Sequence, residues 1–474
     1  MDRKYVPSRQ FLNSLETLMW RAETDVCRFD AVLIGVLDRA PEWEHLTSFC
    51  GHLARHLPRM RQRVGAAPAA GQRPAWTPDP AFAVTRHMRR IRAPGTGGPR
   101  ELLDLAGRIA QSPLDRAKPL WSLALVEGLR GGEAAVVLRI HHAVTDGMGL
   151  WWALQARLPR SREASLAPVP AASCGFATRT HAPSPRPSGV TPYLLEKPAY
   201  AATYAERLAQ SLRLLVPPPA SPSPLLGGRS RAGRFEAEEL PMARLRAVGR
   251  ALDASLGALC TAGLLGALQD YHSHFGVRVH TIPMAVPVSL RSLADRGPQN
   301  SFGAVRLPVP MSAAGMADRV RTLERLLSRR TGGATDLAVP AAAEVLCPLP
   351  GFLSARIAWP LLRSSDLHTS TVPGFSRPVY LSGARVTAML PFGPRGGSAA
   401  MAAFMPHGDR CAVGVHLDPA AITDPDLFSR LLHQNYDSLL ASADGAPRRI
   451  RKSHGRGVAE VRNQTFERDE QLRE

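Results

Sequence analysis

The stretch Arg139-Ile140-His141-His142-Ala143-Val144-Thr145-Asp146-Gly147 decides the reading of this chain. An apolar run, 134–140, leads into it and has the composition of a strand, and the run that follows, 148–158, reads as a helix. Side chains alternate across a strand. His142 therefore shares a face with Leu138 and Ile140, and His141 shares the other with Val137 and Arg139, so only one imidazole can serve a given cavity. Asp146-Gly147 supplies a turn with a carboxylate at a helix start. Three chemistries fit these residues: a hydrogen-bonded core pair with a capping aspartate, a metal site, or a neutral imidazole that takes a proton from a hydroxyl. Adjacent histidines point apart and no further ligand cluster lies nearby in sequence, which disfavours the metal.

Outward from this stretch, strands are expected at 31–37, 84–91 and 121–126, the last pairing with 134–140 across the glycine-rich turn 128–132. Helices are expected at 14–23, 43–57 and 102–112. A lone histidine, His87, reads as structural. Between 160 and 233 the composition shifts to proline, serine and alanine, as in a crossover linker carrying one amphipathic helix at 201–216. The second half reads as helices at 243–254, 257–272, 317–330 and 425–441, with strands at 281–289, 300–308, 379–389 and 411–417. Residues 370–373 read as bounding a turn. The resulting division is 1–159, a linker 160–234, 235–444, and a charged tail 445–474 containing Arg448, Arg449, Arg451 and Lys452.

His141-His142-Ala143-Val144-Thr145-Asp146-Gly147 matches the HHxxxDG motif of the superfamily that contains chloramphenicol acetyltransferase, peptide-synthetase condensation domains and wax ester synthase/diacylglycerol acyltransferases. The surroundings resemble the last of these. Pro113-Leu114-Asp115-Arg116, Pro119-Leu120-Trp121 and Val126-Glu127-Gly128-Leu129 are similar to its PLDR…PLW region, and Met19-Trp20-Arg21-Ala22-Glu23 and Leu37-Asp38-Arg39-Ala40-Pro41 to its opening. Downstream, Val286-Pro287-Val288-Ser289-Leu290-Arg291 and Ser370-Thr371-Val372-Pro373-Gly374 stand where the family has PVSxR and SNVPG. One departure is clear: the family's Asn-Asp at a helix start in the second half reads Gly257-Ala258 here, which leaves the acceptor open.

The resemblance implies an α/β fold of two chloramphenicol-acetyltransferase-like domains with mixed sheets and a tunnel at their interface. It implies a CoA-dependent O-acyltransferase, in which His142 is the general base and long-chain acyl-CoA is co-substrate with diacylglycerol or a fatty alcohol. His141, Asp146 and Gly147 would support the motif. Asp146 would pair with an arginine of the other domain, best matched by Arg291, and Gly147 would admit a tight backbone where a Cβ would intrude. Ser370 and Thr371 would line the tunnel or steady an oxyanion. No metal or bound cofactor is required, and no GxSxG nucleophile elbow is present, which suits direct transfer. Two other readings stay open: transfer to a hydroxyl or amine of a specialised metabolite, and a non-catalytic lipid- or partner-binding descendant.

Lys and Arg number 59 against 40 for Asp and Glu, a formal excess of 19. Such a charge attracts nucleic acid, anionic lipid or a phosphate-bearing substrate. An arginine-rich composition and a basic tail account for most of it, and no interleaving of aromatic and basic residues points to nucleic acid. Six scattered cysteines with no C-x-x-C pair fit a reducing cytoplasm. No apolar leader is read at the start, and the apolar stretch 337–362 is broken by Glu344, Arg356 and prolines, so the expectation is a cytoplasmic protein with at most peripheral contact with lipid or a membrane surface.

Overall fold

The computed structural model describes residues 10–67, 72–167, 220–291, 297–330, 338–347 and 349–442. The first half runs β1 (Gln10–Phe11), α1 (Ser14–Ala22), β2 (Asp30–Leu37), α2 (Trp43–His56), β3 (Gln62–Gly65), β4 (Ala75–Pro78), β5 (Met88–Arg92), α3 (Pro99–Gln111), β6 (Trp121–Glu127), β7 (Ala134–His141), α4 (Gly147–Gln155) and α5 (Arg162–Leu166). The second half runs β8 (Arg234–Pro241), α6 (Met242–Leu252), α7 (Leu256–His274), β9 (Thr281–Ser289), β10 (Phe302–Pro310), α8 (Met316–Arg330), α9 (Ala338–Leu346), α10 (Gly351–Leu362), β11 (Leu367–Thr371), β12 (Tyr380–Leu381), β13 (Ala384–Phe392), β14 (Ala400–His407), β15 (Arg410–Leu417) and α11 (Pro425–Ala441). The amphipathic helix expected at 201–216 and the tail from 445 lie outside the described residues.

Two mixed six-stranded sheets carry the fold, one ordered β12-β13-β2-β7-β6-β5 and the other β10-β9-β11-β14-β15-β8, with a small sheet β1-β4-β3 at the side. Strand β7 is buried at every position, because both its faces are covered. Val136, Leu138 and Ile140 pack toward Trp121 and α2, and Ala135 and Val137 toward α3. Burial on both faces explains why its sequence is a continuous apolar run rather than an alternation. In the second sheet α7 is apolar nearly all round and sits between α6, α8 and α11, with Tyr436 donating to the Cys260 carbonyl at 2.8 Å. Among the described residues no single helix is long and apolar enough to cross a membrane.

The two halves interdigitate. Strand β13, from the second half, pairs antiparallel with β2 from Val386 opposite Leu37 to Phe392 opposite Val32, and so extends the first sheet. The division 1–159 and 235–444 therefore does not follow sheet membership at this strand. Helices α9 and α10 likewise pack on α1, where Ala343, Leu346 and Ala358 meet Leu15, Met19 and Ala22. Three local expectations need correction. Residues 84–87 form a 3-10 turn rather than strand, which stacks His87 on Trp121 at 4.7 Å between ring centroids. The single strand expected at 379–389 is a hairpin, because Ser382 (φ 49°) and Gly383 (φ 84°) turn the chain in left-handed conformations. Ser370 and Thr371 end β11 rather than bound a turn.

Candidate active site

His142 follows β7 directly, its backbone N–H donating to the Phe29 carbonyl at 2.7 Å. Its ring faces an apolar cavity of about 410 Å3 between the two sheets, lined by Leu33, Ile140 and Met389 on one side and by Ala304, Ser370 and Met405 on the other. His141 faces away from that cavity. Its Nδ1 accepts from the Ala143 N–H at 3.0 Å, which places the ring proton on Nε2, 3.5 Å from Glu23. Burial pushes the Glu23 carboxyl up, but the contacts from His141 and Arg116 outweigh it and hold it at about 2. The strand alternation has thus separated a cavity histidine from a structural one.

The proton on His142 is placed by a residue the sequence reading did not single out. The Nδ1 of His142 lies 2.8 Å from Oδ1 of Asn300, which is buried. The amide orientation follows from its other neighbours, because Nδ2 faces the His142 carbonyl at 2.8 Å and the Glu16 carboxylate at 3.4 Å, both acceptors. The oxygen must then face the ring, Nδ1 must donate, and Nε2 is left as the basic nitrogen. Burial pushes the His142 pKa below its ordinary value, against the raising influence of Asp146 and Asn300. The imidazole is therefore neutral near pH 7, the state a general base needs.

Asn300 is itself held by Glu16 and Asn13. Its N–H donates to Glu16 Oε1 at 2.8 Å and its carbonyl accepts from Asn13 Nδ2 at 2.8 Å. Asn13 and Glu16 are the two ends of the α1 capping box, and Arg59, buried, donates to Glu16 at 2.7 Å and to the carbonyls of Ala143 and Val144 at 3.2 and 3.3 Å. One N-terminal helix cap thus anchors both the asparagine and the loop that carries the histidine.

Asp146 turns from the cavity base to a structural pair. It caps α4 by accepting from the Gly149 N–H at 2.8 Å, while its other oxygen accepts from Arg291 Nε at 3.1 Å and Nη2 at 2.9 Å and from the Ser301 N–H at 3.2 Å. Arg291 also donates to the Gly297 carbonyl at 2.8 Å, so the aspartate and the second-half loop are tied together. At Gly147 an added Cβ would lie 3.5 Å from Val372, an ordinary contact, and φ is not left-handed. The steric demand falls instead on Gly149, whose Cβ would come within 2.2 Å of Thr145 Oγ1, and on Gly374, where it would lie 1.4 Å from the Pro406 carbonyl oxygen. Ser370 and Thr371 line the cavity. A Cβ at Gly257 would lie 3.2 Å from Oγ1 of Thr371, a residue of the cavity wall, and Ala258 is fully buried.

Among the described residues one group of donors has metal-ligand spacing: Glu23, Asp30 and His141, with ligand atoms within 4.8 Å of one another. Arg116 already pairs with Glu23 at 2.7 Å and Arg139 with Asp30, so the positive charge a cation would bring is supplied by guanidinium groups.

The HHxxxDG motif thus sits at the seam of two mixed sheets, its second histidine held by an amide and its aspartate locked to an arginine, in the place where the HHxxxDG acyltransferases carry it. Sequence comparison makes the assignment specific. The wax ester synthase/diacylglycerol acyltransferase catalytic domain matches residues 12–258 and the C-terminal domain of that family residues 299–439. The chain belongs to this family and is an acyltransferase of its type. A Mycobacterium tuberculosis protein assigned by name as a diacylglycerol O-acyltransferase is 32% identical over 459 residues, 92% of this chain and 93% of the relative. The fold is that of the Marinobacter aquaeolei wax ester synthase/diacylglycerol acyltransferase, with TM-score 0.65, 18% identity, and coverage of 92% of this chain and 100% of that one. It is also shared with the starter condensation domain of rhizomide synthetase in complex with C8-CoA and Leu-SNAC, with TM-score 0.60, 15% identity, and coverage of 94% and 97%.

Proposed function

We propose that this chain transfers a long-chain acyl group from acyl-CoA to an alcohol such as a fatty alcohol or diacylglycerol, with His142 as general base. The observation that carries the reading is the His142–Asn300 pair on the wall of an apolar cavity, which leaves a neutral Nε2 facing space for an alkyl chain. The alcohol proton passes to Nε2 as its oxygen bonds to the thioester carbon. The tetrahedral oxyanion then collapses, the C–S bond breaks, and the departing thiolate recovers the proton from Nε2. Proton transfer of this kind contributes about 10²–10⁴-fold. Positioning of two long substrates and hydroxyl donors such as Ser370 and Thr371 near the oxyanion supply further stabilisation. No covalent acyl-enzyme is needed, and acyl-CoA is a co-substrate rather than a resident cofactor.

The test is free CoA released from palmitoyl-CoA, with and without hexadecanol or diacylglycerol, for wild type and His142→Ala. Alcohol-dependent release that is lost in the variant supports both transferase and base. Absence of release with either alcohol in wild type counts against a lipid acceptor. The replacement of the family's polar pair by Gly257-Ala258 favours screening other hydroxyl acceptors next.

A further inference from the structure

Helix α10 has two sides of different character. Ser354, Ala358 and Leu361 fall on one of them at helical spacing, and Ala358 and Leu361 line the cavity that His142 faces. Val339 and Ala342 of α9 belong to the same wall. The opposite side of α10 carries Phe352, Arg356 and Trp359, and Arg363, its C-cap, continues the row. Their spacing of four, three and four residues puts them on one stripe, about 16 Å long at 1.5 Å of rise per residue.

Phe352 is 78% exposed, whereas the other exposed large apolar side chains among the described residues reach at most 42%. Trp359 is half-buried, and the Arg363 guanidinium stands 5.7 Å from the centre of its ring. Arg356 is exposed and makes no hydrogen bond or ion pair among the described residues. The single acid in α9 and α10 is Glu344, exposed on α9. A phenyl ring left in water contributes nothing to the fold, because apolar surface stabilises only when it is removed from water. Rings interleaved with arginines suit a boundary between apolar and phosphate layers, where the rings enter the acyl border and the guanidinium groups stay among the headgroups. The formal charge excess of 19 acts in the same sense toward an anionic surface. The stripe is about 10 Å wide, far short of the roughly 800 Å2 that each partner gives to a stable protein interface. A fluid surface fits it better than a folded partner does.

We propose that the outer face of α10 docks on an anionic lipid bilayer, with Phe352 and Trp359 at the acyl border and Arg356 and Arg363 on lipid phosphates. The docked helix stands between bilayer and cavity, so one helix diameter, about 10 Å, separates the two apolar phases. The lipid-substrate reading gives this arrangement its use, but docking is measured without turnover and can stand or fall alone.

The experiment is co-sedimentation of the full chain with vesicles of phosphatidylcholine alone and of phosphatidylcholine with phosphatidylglycerol. Wild type is compared with Phe352→Ser, Phe352→Trp, Arg356→Gln and, as a control on an exposed arginine of β5, Arg89→Gln. Melting temperatures verify folding. Wild type is expected to partition onto the anionic vesicles. Phe352→Ser should lower that partition about tenfold and Phe352→Trp should keep it. Arg356→Gln should lower it about fivefold, by an amount that shrinks as salt is added, and Arg89→Gln should leave it within twofold. No vesicle binding by wild type overturns the proposal, as does binding that Phe352→Ser leaves within twofold. A loss in Arg89→Gln equal to that in Arg356→Gln also overturns it, because charge alone would then bind the vesicle. A melting temperature lowered by Phe352→Ser without loss of binding overturns it too, since the face would then be covered by the chain itself. Vesicle binding without thiol release from palmitoyl-CoA leaves the docking face standing and fails the transferase reading; thiol release without vesicle binding does the reverse.

Discussion

Replacing Asn300 by alanine isolates what the amide does for His142. The side chain makes one contact to the ring at 2.8 Å, one to the His142 carbonyl at 2.8 Å and a long one to Glu16 at 3.4 Å. Alanine removes the 2.8 Å side-chain acceptor of the ring N–H, a loss of about 1–3 kcal/mol. It also removes the bias toward the tautomer with a free Nε2. If that bias is felt in the transition state, kcat for thiol release from palmitoyl-CoA with hexadecanol falls about tenfold to a hundredfold. The pH profile adds a signature that damage to packing would not give. Asn300 raises the His142 pKa, so its loss lowers that pKa further. Because the base form is lost as pH falls through the pKa, the acid limb of kcat/KM moves to lower pH even as the plateau drops. Asn300→Asp does the reverse: a carboxylate beside the ring favours imidazolium, and the limb moves to higher pH. A plateau within twofold of wild type in Asn300→Ala, or a limb that moves up in that variant, refutes the reasoning.

The remaining predictions concern the frame of the site. In wild type, burial of His142 places the acid limb of kcat/KM below the ordinary imidazole value of 6.5, and a midpoint above it in a pH–rate profile would contradict the neutral-base assignment. Arg291→Met leaves Asp146 buried without its guanidinium and should lower the urea-derived stability by about 3–5 kcal/mol; a loss under about 1 kcal/mol by the same measurement would deny the pair its anchoring role. Gly149→Ala should be far more damaging to thiol release and melting temperature than Gly147→Ala, because only the former brings a Cβ within 2.2 Å of Thr145. Ala258→Asp, half of the family's polar pair, should destabilise by about 2 kcal/mol or more in urea titration, since the position is fully buried.

The legible parts of the fold share one property: their signal is local. The apolar run 134–140 and the hairpin it forms were readable because strand and partner are separated only by a glycine-rich turn. The histidine motif and Arg291 were readable through resemblance, and the geometry brings Arg291 onto Asp146. Asn300 was not readable. It stands 158 positions from His142 in a Gly-Pro-Gln-Asn-Ser segment, and nothing in its spacing announces a partner. Strand β14 was missed because Ala400-Met401-Ala402-Ala403 lacks both alternation and β-branched residues, being covered on both sides. The placement of β13 beside β2 was equally hidden, since apolar strands of similar length do not declare which sheet they will join.

That placement has a consequence for synthesis on the ribosome. Until residue 392 has emerged, β2 has no neighbour on the side that β13 will occupy, and it presents an apolar, unpaired edge. The first half of the chain cannot complete its sheet while it waits, although it already contains the histidine loop. The long contact between β2 and β13 makes closure a late, non-local step. A nascent chain paused within the proline-rich segment would therefore be a sticky species in need of a chaperone, and a gene split there would give two fragments that must be co-expressed to become soluble.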